Sequence, residues 1–159
     1  SFIAKAELAM QFLPRLLLGR IGTEYVRRLD TEDAVADAKR LVARAKAGRN
    51  LMYFPEGTLM RAPGLLPFRL GAFDAAAAAQ VPVVPVAIRG TRSILRDQSW
   101  FPRRGAIAVT VEPPIDPAAI AVEAGGDVWK AALRLRDLAR ERILRHCGEP
   151  DAQHVQLPF

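Results

Sequence analysis

Apolar positions recur along the chain with helical and strand-like periods, and the switches between them mark out its elements. Residues 7–21 set Leu8, Ala9, Phe12, Leu13, Leu16 and Leu17 at mostly helical spacing, with Pro14 and Gly19 predicting a kink. Residues 23–28, with Tyr25 and Val26, read as a short strand. Asp30 or Thr31 then caps a helix to about residue 47, with Glu32 and Asp33 in its first turn. Its apolar stripe is Val35, Ala38, Leu41, Val42 and Ala45, and Gly48 suits a left-handed exit. Residues 51–54 predict a short buried strand, residues 70–80 a helix of small residues, and residues 83–88 a strand that Pro85 marks as an edge or bulge. Residues 106–112 predict another strand, ended by Pro113-Pro114. Residues 127–147 predict an amphipathic helix with Val128, Ala131, Leu135, Leu138 and Ile143 inward and Arg134, Arg136, Arg140 and Arg142 solvated.

Strands alternating with helices predict an α/β fold, with a mostly parallel or mixed sheet flanked by helices and right-handed crossovers. Residues 1–148 read as one domain and residues 149–159 as a loosely ordered tail.

With half of its 159 residues apolar and 25% charged, the chain can build one sizeable core and does not have a disordered composition. The net charge of +6 favours an anionic partner: nucleic acid, an anionic membrane surface or a phosphorylated substrate. The arginines are dispersed and no zinc-finger, bZIP or RRM signature is present, so nucleic acid falls behind a phosphate-bearing ligand or a lipid surface. Cys147 is the only cysteine, which excludes an internal disulfide and a cysteine metal cage. No run approaches the roughly 18 apolar residues of a spanning helix. Leu8, Phe12, Leu13 and Leu16 with Arg15 and Arg20 could instead rest on an anionic bilayer, although core packing is the first reading for half of them.

Phe54-Pro55-Glu56-Gly57-Thr58 carries the chemistry. It follows a predicted strand, where open α/β sheets place ligand crevices. Gly57 lets the backbone turn close to a ligand, the Thr58 hydroxyl can bond a phosphate or glycerol oxygen, and Glu56 can accept from a hydroxyl or orient an arginine. Taken alone, the run reads first as an ordinary turn after a strand.

Its surroundings decide for function. The run resembles the FPEGT block of the glycerophosphate and lysophosphatidate acyltransferase family, and further blocks follow the family's order. Phe2-Ile3-Ala4-Lys5-Ala6-Glu7-Leu8 is similar to the segment after the catalytic motif, and Gly22-Thr23-Glu24-Tyr25-Val26-Arg27-Arg28 to the second block. Leu66-Pro67-Phe68-Arg69-Leu70-Gly71-Ala72 is similar to the stretch after FPEGT, and residues 81–91 resemble the fourth block. Gly90-Thr91-Arg92-Ser93 with Trp100-Phe101-Pro102-Arg103-Arg104-Gly105 also resembles acyltransferase domains fused behind an acyl-activating ligase.

The resemblance implies a glycerol-3-phosphate acyltransferase-like fold. It also implies transfer of a fatty acyl group from acyl-CoA or acyl-carrier protein to a lysophospholipid, with 1-acylglycerol-3-phosphate the first expectation. It assigns Arg28, Glu56, Gly57 and Thr58 to the acyl acceptor. Leu59 stands where the family has an arginine, so Arg27 and Arg61 become candidate phosphate contacts, and Arg69, in place of a lysine, is a third.

Family catalysis uses a His-x-x-x-x-Asp dyad, which is expected upstream of Ser1. His146 and His154 read as a helix end and a tail. No catalytic residue, metal or cofactor is therefore assigned within the chain, which by itself is expected to lack the acyl-transfer step. The expected setting is peripheral, at the cytoplasmic face of a membrane or within a larger membrane-associated protein. A non-catalytic lipid-phosphate-binding or membrane-docking module is the alternative, and a terminal domain of a ligase fusion is another.

Overall fold

The computed structural model describes residues 3–5, 24–26, 40–58, 62–95 and 101–154. Strands β1 (Ile3–Lys5) and β2 (Glu24–Val26) pair in parallel, with Ala4 opposite Tyr25. The kinked helix expected over 7–21 lies outside the described residues. Of the next helix, residues 40–46 (α1) are described, with Leu41 and Ala45 buried as their stripe requires. Gly48, at φ +75°, closes α1. The Gly48 amide donates to the Ala45 carbonyl and the Arg49 amide to the Arg44 carbonyl, the paired bonds of a Schellman ending.

Helix α2 (Gly71–Ala79) buries Phe73, Ala75, Ala76, Ala77 and Ala79. It ends the same way, but on Gln80 at φ +54°, whose side-chain amide donates to the Ala77 carbonyl at 2.7 Å. Strand β3 (Val86–Arg89), one short helical turn α3 (Thr91–Ile94) and strand β4 (Ala108–Val111) follow.

β3 and β4 pair antiparallel, Val86 opposite Val111, whereas β1 and β2 pair in parallel. Among the described residues of the connection between β3 and β4 there is a single helical turn, α3. Residues 51–54 were expected to form a buried strand. They do not, since only Met52 makes a bridge and Phe54 is 59% exposed.

Pro85 acts as its chemistry dictates. Having no N–H, it takes part only through its carbonyl, which accepts from the Glu112 amide at 3.0 Å. Beyond it Val83 pairs with Ile115, so residues 112–114 carry one more position than residues 84–85 opposite them. The extra residue is a bulge at Pro113-Pro114, where no donor is lost because neither proline has one.

Asp116 caps α4 (Pro117–Glu123), accepting from the Ala118 amide, with Pro117 in the first helical position. Asp127 caps α5 (Val128–Cys147), accepting from the Trp129 and Lys130 amides, and Gly148 at φ +70° ends it. Ala131, Ala132, Leu135 and Ala139 of α5 meet Phe73 and Ala77 of α2 and Ile120 of α4 in the main core. Leu138 and Ile143 pack at its margin as expected, whereas Val128 is 46% exposed, in a first turn of α5 whose residues 128–130 are all exposed.

Two further departures matter for the site. Arg140, expected in solvent, is 7% exposed. Residues 149–152, where little order was expected, are tied to Leu65: its amide donates to the Pro150 carbonyl at 2.8 Å, and its carbonyl accepts from the Ala152 amide at 3.1 Å.

Candidate active site

The Phe54–Thr58 run is a tight turn. The Gly57 amide donates to the Phe54 carbonyl at 3.1 Å, with Pro55 and Gly57 where β-turns favour proline and glycine, and Gly57 takes φ +71°. The loop folds back onto the segment behind it. The Arg69 amide donates to the Pro55 carbonyl at 2.8 Å, and the Leu66 amide donates to Glu56 Oε2 at 2.9 Å. A carboxylate that accepts from a backbone N–H has a fixed direction, so Glu56 is held by the backbone of a second segment and not only by its own turn.

Burial raises the Glu56 carboxyl above its ordinary value. The Leu66 amide and the positive charges of Arg140 and Arg92 pull it back, while Glu149 pushes it up again.

The turn borders a cavity of ≈ 1400 Å³, lined by Tyr53, Phe54, Pro55, Glu56 and Thr58 on the loop side and by Leu66, Phe73, Val84, Ile88 and Leu95 elsewhere. It exceeds the roughly 300–1,000 Å³ of ordinary small-molecule sites. Among its described lining residues Glu56, Arg92 and Glu149 are the charged ones, grouped together: Arg92 Nε donates to Glu149 Oε1 at 2.9 Å. The remaining wall is mostly aliphatic or aromatic, as suits a hydrocarbon chain with a polar head at the loop. Tyr53 adds a hydroxyl that is buried and has no hydrogen-bond partner among the described residues, and burial pushes its pKa up to about 12.

Of the residues singled out by sequence, Glu56, Gly57 and Thr58 share one turn. Arg69 is exposed and meets the loop through its backbone. Arg27, Arg28 and Arg61 lie outside the described residues.

The histidines hold a surprise. His146-Cys147-Gly148-Glu149-Pro150-Asp151 has the His-x-x-x-x-Asp spacing, which reading His146 as a helix end passes over. The side chains nevertheless engage different partners. His146 Nε2 lies 2.9 Å from Glu112 Oε1, and Asp151 Oδ1 accepts from Arg140 Nη2 at 2.6 Å. Neither residue lines the cavity, and the run follows the Phe54–Thr58 turn, whereas the dyad is expected ahead of it.

Sequence reasoning also missed Arg140, Glu149 and Arg92, which surround the loop's support. The signal for Arg140 is its helical spacing to Ile143 and Cys147, three and seven positions on, which sets it beside the core face.

Comparison with known proteins follows the same line. The Acyltransferase family model matches residues 1–89. The chloroplastic 1-acyl-sn-glycerol-3-phosphate acyltransferase BAT2 of Brassica napus is 32% identical over 116 residues, covering 72% of this chain and 34% of the relative. The 1-acyl-sn-glycerol-3-phosphate acyltransferase of Salmonella typhimurium is 38% identical over 95 residues, 59% of this chain and 36% of the relative. The crystal structure of the 1-acyl-sn-glycerophosphate acyltransferase PlsC from Thermotoga maritima superposes with a TM-score of 0.67 at 21% identity, over 91% of this chain and 56% of that one, a likeness of fold. The chain thus spans about a third of the length of the two curated relatives.

Proposed function

Because the chain belongs to the acyltransferase family, whose model matches more than half of it, we propose that it forms the acceptor side of an O-acyltransferase acting on 1-acylglycerol-3-phosphate. One observation carries this reading: the FPEGT turn, with Glu56 fixed by the Leu66 amide, stands on the rim of a large, mostly apolar cavity. A lysophospholipid has that shape, a polar head on a hydrocarbon chain.

In the proposed reaction the free glycerol hydroxyl attacks the thioester carbonyl carbon of acyl-CoA or acyl-carrier protein. The new C–O ester bond forms as the C–S bond breaks. The hydroxyl proton passes to the imidazole of a His/Asp dyad, proposed to lie upstream of Ser1, and from there to the departing thiolate. Products are phosphatidate and a free thiol. In this scheme Thr58 and Glu56 bond the glycerol oxygens, Gly57 lets the backbone approach them, and Arg28 pairs with the phosphate; Arg27, Arg61 and Arg69 are the supplementary cations. Access to lipid is proposed to be peripheral, at the cytoplasmic face of a membrane; among the described residues no helix is long and apolar enough to cross one.

The test is acyl transfer by the protein that carries this chain, with lysophosphatidate as acceptor and acyl-CoA and acyl-carrier protein as alternative donors. Phosphatidate from either donor, with an acceptor KM raised in Glu56→Ala and Thr58→Ala, is the expected result. No phosphatidate from either donor would sink the reading. One observation favours a second reading, a lipid-phosphate-binding module: the His-x-x-x-x-Asp match at His146 and Asp151 is not a dyad. Saturable lysophosphatidate binding without turnover would select that reading.

A further inference from the structure

Residues 64–66 lie between the FPEGT turn and the end of α5, and nearly every backbone group there is held. The Gly64 amide donates to Glu149 Oε2 at 2.8 Å, and the Leu65 amide and carbonyl pair with Pro150 and Ala152. Arg140 Nη2 donates to the Leu65 carbonyl at 2.7 Å, and Arg140 Nε to the Leu66 carbonyl at 3.2 Å. The same Nη2 donates to Asp151 Oδ1 at 2.6 Å. The Leu66 amide, on the far side of the peptide units gripped by Arg140, is the donor to Glu56.

We infer that Arg140 is a positioning residue for the acceptor loop: by gripping the Leu65 and Leu66 carbonyls it sets the Leu66 amide that aims Glu56. The inference rests on the proposed acyltransferase reading for its effect on activity, but not for the structural coupling.

Three features support a specific role. Arg140 is almost fully buried, and a guanidinium fork is kept in an interior only where its donors are matched. Its guanidinium carbon lies over the Phe68 ring, 6.0 Å from the centroid, a cation–π contact that adds to its hold. Its charge is not fully spent on Asp151, because it also acts on the Glu56 carboxylate. The family model ends at residue 89, so both Arg140 and the residues 149–152 that share its grip come from a part of the chain outside that match. The loop is common to the family, and its brace is supplied here by α5.

The experiment compares Arg140→Gln, Arg140→Lys and a core control, Leu135→Ala, in the protein that carries this chain. Amide hydrogen exchange is read at Gly64, Leu65 and Leu66 against Ala132 in α5. Arg140→Gln is expected to speed exchange at Leu66 by about tenfold or more over any change at Ala132, since it breaks charge-assisted bonds, while Leu135→Ala speeds both alike. Arg140→Lys, with a single point charge, is expected to restore part of the protection and serves if the glutamine variant does not fold. In turnover, Arg140→Gln is expected to raise the acceptor KM about tenfold with the donor KM little changed, and Leu135→Ala to leave both. Equal acceleration at Leu66 and Ala132 in the arginine variants overturns the inference, as does an acceptor KM that moves as far in Leu135→Ala. If the wild type transfers nothing to lysophosphatidate, the activity reading fails, and the exchange measurement still decides the role of Arg140.

Discussion

The Leu66 amide and the Glu56 carboxylate meet at 2.9 Å across 10 positions of sequence, and this bond joins the FPEGT turn to the rest of the domain. Glu56 reaches it half-buried, so the bond is made by an acid that burial disfavours in its charged form.

The pH dependence follows from that conflict. The carboxyl of Glu56 is raised in the folded state, so the native protein holds its proton more tightly than the unfolded chain does. Its contribution to stability is greatest below the ordinary value of 4.5 and is lost as pH rises through the folded pKa. Glu56→Gln keeps an acceptor for Leu66 without the charge. Its melting temperature relative to wild type should therefore climb between pH 4 and pH 7, while acceptor affinity falls. Thermal melts at both pH values would contradict this if the difference were flat.

Asp151 has the opposite sign. The hydrogen bond from Arg140, and then the Gln153 amide, hold its carboxyl below 3.8. Its contribution is present above that value and is lost as pH falls through the folded pKa. Asp151→Asn should be less stable than wild type at pH 7 and indistinguishable from it at strongly acid pH, as read by denaturant midpoints in matched buffers.

Tyr53 offers a stabilising change. Its buried hydroxyl lacks a partner among the described residues, and an unmet buried donor costs about 1–3 kcal/mol. Tyr53→Phe should gain about 1 kcal/mol in urea unfolding. A loss of stability would mean that the hydroxyl has a partner after all.

Two glycines should respond in opposite directions. At Gly64, φ +140°, an added Cβ would lie 2.7 Å from Ala152 Cβ and wedge apart the two segments that pair at Leu65. Gly64→Ala should cost about 2 kcal/mol from strain and lost pairing. Gly71, in the first turn of α2, has open space around its Cβ, and Gly71→Ala should gain about 0.5 kcal/mol. Chemical denaturation of the pair would reject the account if both moved the same way.

Much of this arrangement could be read from the chain because its signals are local. Gly48 closing α1, Asp127 and Gly148 bounding α5, the alanines of α2 and the turn at Pro55 and Gly57 each follow from the preferences of a few adjacent residues. Helix α4 was equally available, in Asp116-Pro117 ahead of Ala118-Ala119-Ile120, and was overlooked. The direction of β4 was not legible, since period-two alternation is blind to whether a partner runs parallel or antiparallel. Nor was the burial of Arg140. A helical wheel places it beside the core face, but only the fold brings the Leu65 and Leu66 carbonyls within its reach. The same limit explains His146 and Asp151, whose spacing matches a dyad while Glu112 and Arg140 take up their side chains.

Glu149 holds the Gly64 amide across 85 positions, and Arg140 holds the Leu65 carbonyl across 75. During synthesis the FPEGT turn therefore leaves the ribosome long before the residues that brace it exist, and such long-range closures come late in folding. Shortening the chain within residues 149–152 would leave the turn's own sequence intact and remove its support. The loop is written early and finished last.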